Sequence, residues 1–481
     1  MISIIKEVSN NDYYNDEEFR EILQEYEAAV TSGQSVFMDA DDLADIADYY
    51  QQEERYDEAQ QAIDLALELQ PDSVVALNYQ IHQAIDNGDY EAAEEYLSKI
   101  IDHDIPEYIY SRAEIWLAQD QVEEADNFLR KCYLDVPPDE CQDYVYDVAN
   151  LYDDYDKDEK ALEWLMRGKP ENNEDFQELM GRTMFGLGRY DDSERIFNEL
   201  IDRDPFQKRY WNALANTQFM KEDYGASVTS SEYAIAIDPD DSDGVLAKAN
   251  GLYHLENHEE ALKYYERYSE LMPDDEFGYL YQGCCLLNLG RYEEAVERLK
   301  EAELKAPDDS PALVDIYQEI GFAYSDMKHP DEALSYLNKT DALDCDHVDM
   351  MVVKGHVLMS NQRVKESDDY FSQALSLSDD KPHTMLRILV SYLDNHYLRF
   401  FHKSFNILFS KLGDDWKDGY SYMALCCHDL EYYDECLSYL KLAVEKNPKE
   451  ARQVLSYLFP ADMAPADYYD YMAEHIKELK K

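Results

Sequence analysis

A small residue recurs at a nearly constant interval along most of this 481-residue chain: Ala59, Ala93, Ala125, Ala161, Ser193, Ser227, Ala261, Ala295, Ala333, Ser367, Ser404 and Cys436. Successive members are 34, 32, 36, 32, 34, 34, 34, 38, 34, 37 and 32 residues apart. A period near 34 calls for one supersecondary unit stacked many times, each copy burying its apolar face against its neighbours. A single closed core would have no reason to repeat itself.

The flanking residues define the unit. Each small residue follows a short turn and often an acidic pair, as in Gly188-Arg189-Tyr190-Asp191-Asp192-Ser193 and Gly290-Arg291-Tyr292-Glu293-Glu294-Ala295. Glycine supplies a left-handed stop for one helix, and carboxylates favour the positive end of the next. Twelve residues earlier runs a second small series: Ala47, Ala113, Ala149, Gly181, Ala215, Ala249, Gly283, Gly321, Gly355 and Ala424, interrupted only by Ile81 and Tyr392. One small site on each of two helices predicts an antiparallel hairpin that closes tightly there. Twelve residues after the first series, proline occurs in seven units, at Pro71, Pro137, Pro205, Pro239, Pro273, Pro307 and Pro448, and it ends the second helix.

Together these features resemble the tetratricopeptide repeat (TPR) family. The stretch from Gly283 to Pro307, with Leu286 ahead of the Gly290-Arg291-Tyr292 turn, carries the whole signature. The resemblance implies an all-α fold, a right-handed α-solenoid (superhelix) of about 12 TPR helix-turn-helix hairpins with helical caps. On that reading residues 1–38 are an N-terminal segment and capping helix, 39–447 the tandem array, and 448–481 C-terminal capping helices. The unit at 381–414 is irregular, with Tyr392 at a small site, no closing proline and a dense aromatic run, so its register is left open. As an acidic, tyrosine-rich array the chain also resembles uncharacterised TPR proteins of Bacteroidetes-type bacteria.

The caps follow from the stack, whose two ends each leave an apolar face to cover. Phe19, Ile22, Leu23 and Tyr26 form a helical stripe before the turn at Thr31–Gln34. At the other end, 451–459 continues the stack, and 466–481 presents Tyr468, Met472, Ile476 and Leu479, with Lys477, Lys480 and Lys481 suited to a helix C-terminus. Disorder is expected only in the first ten or so residues.

Charge narrows the partners. The formal net charge is −62, with 9 basic and 43 acidic residues in 1–160 but 13 and 15 in 381–481. Such a field repels nucleic acid and anionic lipid and attracts basic protein segments, so neither nucleic acid nor membrane is an expected partner. Solubility of a long solenoid is the competing account of the same charge. No run of about 18 apolar residues suggests a membrane span, and the acidic start does not fit a secretory signal, so a cytoplasmic protein is expected. Eight cysteines without CxxC spacing agree, and the adjacent pairs Cys284-Cys285 and Cys426-Cys427 read as core residues.

Chemistry is sparse. His254 and His258, at i, i+4 spacing, straddle a turn and are not expected to bind metal. No phosphate loop, nucleophile elbow or HExxH motif occurs, so no catalytic residue, metal or cofactor is expected. Many of the 42 tyrosines occupy equivalent repeat positions, among them Tyr56, Tyr90, Tyr190, Tyr224 and Tyr292, and read as packing.

The family resemblance implies that first helices line a concave groove and that asparagines there grip an extended peptide. One residue past the small site of the first helices the sequence has, among others, Asn150, Arg182, Asn216 and Asn250; the same face one turn away adds Tyr146, Asn212, Phe219 and Tyr253, and Arg209 joins Arg182 as an unusual cation in an acidic chain. Amides both donate and accept, aromatics offer area at low entropy cost, and arginine takes a carboxylate bidentately. Lysines needed for a two-carboxylate clamp are missing here, so chaperone-tail specificity is not expected. Tyr397, Phe400, Phe401 and Phe405 in the irregular unit mark a second interface if part of the cluster is exposed; the favoured alternative is a register shift that buries it. The leading reading is thus a non-enzymatic protein-interaction scaffold that binds one or more proteins in its groove. The alternative is an assembly subunit that oligomerises through its C-terminal region, and the least favoured is an enzyme with a groove-built active site.

Overall fold

A residue in the left-handed backbone region precedes the small second-helix residue by five positions in repeat after repeat of the computed structural model. The structure describes residues 14, 17–32, 36, 38–53, 55–168, 173–413, 415–460 and 463–479. The left-handed residues are Gly88, Asp120, Asp156, Gly188, Glu222, Glu256, Gly290, Lys328, Gln362, His396 and Glu431, with φ between 53° and 71°. Each closes the first helix in the same way. The next residue donates its amide to the carbonyl five positions back, as from Arg291 to Leu286 at 2.8 Å, His329 to Tyr324 at 2.8 Å and Arg363 to Leu358 at 2.9 Å. These bonds satisfy carbonyls that the helix end would otherwise leave open. The reversal is therefore a backbone device, and glycine supplies it in only three of these turns.

The small first-helix site admits a large side chain from the second helix, four positions past the second helix's own small residue. A Cβ placed on Gly283 would lie 2.5 Å from Leu299 Cγ, one on Gly321 2.8 Å from Leu337 Cγ, and one on Gly355 2.3 Å from Phe371 Cε1. The inserted side chains, Ile63, Leu97, Leu129, Leu165, Phe197, Leu299, Leu337 and Phe371, are all buried. In six units the second helix stops two residues before its proline, for example Tyr292–Lys305 before Pro307. Pro137 differs, since the helix Val122–Tyr133 ends earlier.

The irregular unit has its helices where expected, Lys381–Asp394 and Leu398–Phe409. Its register needs correction. His396 is the left-handed residue, so Phe401, not Ser404, takes the small second-helix site, and Leu389, not Tyr392, takes the first-helix site. The spacing then becomes 34 from Ser367 to Phe401 and 35 from Phe401 to Cys436. Both large residues are buried, so this hairpin packs two bulky side chains where its neighbours pack small ones.

The chain forms two compact units, Met1–Pro239 and Asp240–Lys481. Among the described residues all regular structure is helical. The first unit holds hairpins Ala40–Gln52/Tyr56–Leu69, Val74–Asp86/Tyr90–Leu97, Pro106–Ala118/Val122–Tyr133, Cys141–Asp154/Asp158–Leu165, Glu174–Gly186/Tyr190–Arg203 and Lys208–Met220/Tyr224–Ile237. The second holds Ser242–His254/His258–Leu271, Glu276–Asn288/Tyr292–Lys305, Ala312–Asp326/Pro330–Leu337, His347–Ser360/Val364–Leu377, the irregular pair, and Tyr420–Asp429/Tyr433–Lys446. His258 opens a helix and does not sit in the turn.

The helix Glu17–Ser32 buries Phe19 and Tyr26 against the first hairpin, where Phe19 meets Tyr49 edge-on at 5.5 Å. At the other end Pro448–Leu455 and Tyr468–Leu479 pack Leu455, Tyr468, Met472 and Ile476 onto Leu440, with Phe459 stacked on Tyr468 at 3.9 Å. The expectations for residues 1–10, Gln34, the Leu479 side chain, Lys480 and Lys481 lie outside the described residues. No described helix is long and apolar enough to cross a membrane.

Candidate protein-binding face

Because the reversal fixes each hairpin's register, residues one past the first-helix small site recur on one face of successive first helices. In the N-terminal unit this row reads Asp48, His82, Glu114, Asn150, Arg182 and Asn216. His82, Glu114, Asn150 and Arg182 each have a side-chain partner nearby. His82 Nδ1 lies 3.0 Å from Glu114 Oε2, and the Tyr155 hydroxyl donates to Glu114 Oε1 at 3.2 Å. Asn150 donates from Nδ2 to Asp154 Oδ2 at 3.1 Å. Arg182 donates from Nε to Asp153 Oδ2 at 3.0 Å and lies 3.8 Å from Asp154, while Thr183 also donates to Asp153. Arg209 Nε sits 3.1 Å from Glu178.

The expected binding residues therefore divide. Asn150 is only 3% exposed and turned inward, and Asn212 is also buried. Tyr146 and Phe219 are half-buried, the first near Phe176 and the second edge-on to Tyr224. Arg182 and Arg209 already hold internal carboxylates, so a ligand carboxylate would have to displace or share these pairs. Asn216 is exposed. It meets Arg182 at a cleft of about 320 Å³, lined also by Asp153, Asp156, Asp158 and Phe185.

Carboxylates outnumber cations around this cleft. Burial pushes Asp154 up to about 6; Arg182 opposes the shift, and Asp153 and Glu114 add to it. Asp158 is also raised, by burial and then by Asp153, Asp156 and Glu159. Burial lowers the affinity of His82 for its proton, but Glu114 outweighs this and leaves the pKa raised. Buried like charges cost free energy that an incoming cation would relieve. Sequence reasoning missed these aspartates because acids are so abundant in this chain; their signal was the run Asp153-Asp154-Tyr155-Asp156-Lys157-Asp158 across one reversal.

The C-terminal unit is arranged differently. Asn250 accepts a hydrogen bond from the Tyr265 hydroxyl at 2.7 Å. Tyr253 lies edge-on to His258 and Tyr281, and Asn288 donates to its hydroxyl at 3.4 Å. Asp315 and Glu319 share a face of Ala312–Asp326; burial, then Asp315, pushes Glu319 up to about 7. Farther along, a cleft of about 450 Å³ is lined by Phe322, Val353, His356, Val390, Asp394 and Tyr422.

The second expected interface also divides. Phe401 and Phe405 are fully buried, which corrects their placement at a surface, whereas Tyr397 and Phe400 are 41% and 49% exposed. The register explains this, because Phe401 fills the small site and Phe405 the position one turn on. Phe400 and Ile407 border an apolar cleft of about 430 Å³ with Phe371, Leu375 and Ile388.

Family models described as tetratricopeptide repeat match residues 43–73, 179–242, 246–312 and 314–344. These segments carry the hairpins and reversals described above. The chain is a tetratricopeptide repeat protein. Repeats of this family serve generally as protein-interaction scaffolds. Among solved structures, yeast Tom70 is 15% identical, covering 91% of this TPR chain and 99% of its own, with a TM-score of 0.43. A tetratricopeptide repeat protein from Parabacteroides merdae is 13% identical over 60% of this chain and 98% of its own, with a TM-score of 0.39. YrrB, described as a TPR protein with an unusual peptide-binding site, is 20% identical over 42% and 97%, with a TM-score of 0.34. No curated protein matches the sequence.

Proposed function

We propose that this TPR protein is a non-enzymatic scaffold whose first-helix face in the N-terminal unit takes an extended, lysine- or arginine-bearing segment of a partner protein. The observation that carries this reading is the cleft holding Asp153, Asp156 and Asp158 against the single cation Arg182, with Phe185 and the exposed amide of Asn216 beside it. A partner's cation would relieve the carboxylate crowding, the aromatic would take its aliphatic stem, and the amide would hold backbone. The net charge of −62 steers such a segment inward.

The test is fluorescence anisotropy with labelled extended peptides that differ only in having Lys/Arg, Gln or Glu at alternate positions. The cationic peptide is expected to bind, to weaken above about 0.15 M salt, where the Debye length is near 8 Å, and to weaken further with Asn216→Ala or Asp156→Asn. Equal binding of all three peptides, or no response to either substitution, would refute the reading.

A second reading, self-association through the C-terminal region, is favoured by one observation: Phe400 and Ile407 are exposed beside the apolar cleft of the irregular repeat. Light scattering over a concentration series, with Phe400→Asp as the control, tests it. A monomer at every concentration would remove it.

A further inference from the structure

Away from the first-helix face, helices Leu398–Phe409, Tyr420–Asp429 and Tyr433–Lys446 bring His402, Cys427 and Glu435 together. His402 Nε2 lies 2.8 Å from Glu435 Oε2, and one donor atom from each of the three residues lies within 4.8 Å of the others. We propose that these three residues form a binding site for a divalent transition metal of the zinc class.

The repeat itself shows why this place is unusual. His402 stands one residue past the small second-helix site of its hairpin, and Glu435 stands one before that of the next. In the third and fourth repeats those positions are Asp126 and Lys160, an ordinary ion pair at 2.8 Å, and the position of Cys427 is occupied by Tyr152. Here the same contact brings together imidazole, carboxylate and thiol. Imidazole and thiolate select zinc-like ions over magnesium or calcium, which prefer all-oxygen sites.

The distances allow it. Bonds of about 2.0–2.3 Å at tetrahedral angles place donor atoms roughly 3.3–3.8 Å apart. His402 and Glu435 must therefore open by less than about 1 Å, and their donor atoms, within 4.8 Å of the Cys427 sulfur, must approach it by at most about 1.5 Å. Glu435 is half exposed and free to adjust, whereas Cys427 is buried and fixed among Phe401, Cys426 and Cys436. Three protein ligands leave a fourth position for water or a partner's side chain. Metal binding to the thiol releases its proton, so affinity rises with pH.

The experiment is a Co²⁺ titration of the reduced, chelator-stripped full-length chain, followed by absorption spectroscopy. One equivalent of Co²⁺ is expected to give visible ligand-field bands and a near-ultraviolet thiolate-to-cobalt band, both abolished by Zn²⁺. Cys427→Ser should remove the thiolate band, and His402→Gln should weaken binding by roughly tenfold or more. Cys345→Ser should leave both signals intact. His402 and Glu435→Gln lie at partly exposed positions, and circular dichroism checks that each variant folds. Absence of a thiolate band, its persistence in Cys427→Ser, or cobalt held only weakly by carboxylates would overturn the assignment.

Discussion

The hairpin seam makes a prediction in which one substitution changes sign with its surroundings. Gly283 lies inside Glu276–Asn288, where replacing glycine by alanine ordinarily gains about 1 kcal/mol of helix stability. Here the new Cβ would lie 2.5 Å from Leu299 Cγ and 2.6 Å from its Cδ2, well inside the roughly 3.5–4.0 Å of a carbon contact. Leu299 is fully buried, so the clash has no outlet to solvent. Overpacking of this kind costs about 1–3 kcal/mol, and Gly283→Ala should destabilise the hairpin by up to about 2 kcal/mol after the helix gain is subtracted. Leu299→Ala alone should cost about 2–5 kcal/mol. In that background the space is vacated, and Gly283→Ala should become stabilising by about 1 kcal/mol.

Hydrogen exchange read by mass spectrometry over residues 276–305 reports the local opening free energy, which suits an array whose repeats need not unfold together. Gly290→Ala is the matched control. Its φ is +71° and nothing lies within 4 Å of the added Cβ, so its penalty of about 1 kcal/mol is torsional and the same in both backgrounds. If Gly283→Ala had equal effects with and without Leu299, the account of small sites as receptacles for large side chains would be wrong.

Three other outcomes follow from the same geometry. Asp126 is buried and takes hydrogen bonds from Trp164 Nε1, Lys160 and Arg130; burial alone would raise its pKa, but the two cations outweigh it and leave the value lowered. Asp126→Ala should cost about 2–3 kcal/mol in urea unfolding at pH 7. That difference should shrink as pH falls below about 3.9 and through the lower folded value, because only the ionised form is stabilised. Glu319 has the opposite sign: its folded value of about 7 exceeds the ordinary carboxylate value near 4.3, so stability falls as pH rises between them. Glu319→Gln should therefore raise the melting temperature above pH 7 and leave it unchanged below about pH 4.3. Lys328→Gly, at φ +65°, should stabilise its turn, by at most about 1 kcal/mol, since a left-handed lysine is strained but glycine frees the unfolded chain. A loss of stability there would show that the lysine side chain matters more than its backbone.

The repeat was legible because packing imposes it on residue size. Ala295 and Gly283 announce a hairpin wherever they occur, and Pro307 announces its end. Phe401 and Leu389 were not legible in the same way, because a reader of small residues skips a hairpin that puts large ones in the same sites. His396 held the missing information, but a left-handed histidine leaves no mark in sequence as glycine does. The binding face shows a different limit. Asn150 and Asn216 occupy equivalent positions one repeat-pair apart, yet Asn150 is turned onto Asp154 while Asn216 reaches solvent. Position in the repeat fixes where a side chain starts, and the residue one turn on helps decide what it touches: Asp154 follows Asn150 by four residues, whereas Met220 follows Asn216.

This distinction bears on how an acidic array can be selective. A charge of −62 spread over a solenoid attracts any basic chain, and charge steering alone discriminates poorly. Selectivity needs carboxylates that cannot be satisfied by water or by the protein's own cations. Elsewhere exposed carboxylates meet water or a local cation, as where Arg291 holds Glu294 and Arg363 holds Asp331 and Glu366. Around Arg182 carboxylates outnumber cations, since one guanidinium faces Asp153 and Asp154 while the turn aspartates Asp156 and Asp158 line the same cleft. A cation there gains partly desolvated partners, whereas elsewhere it would only exchange one screened pair for another. The local imbalance of buried charge, more than the total, is what can give this scaffold a preferred client.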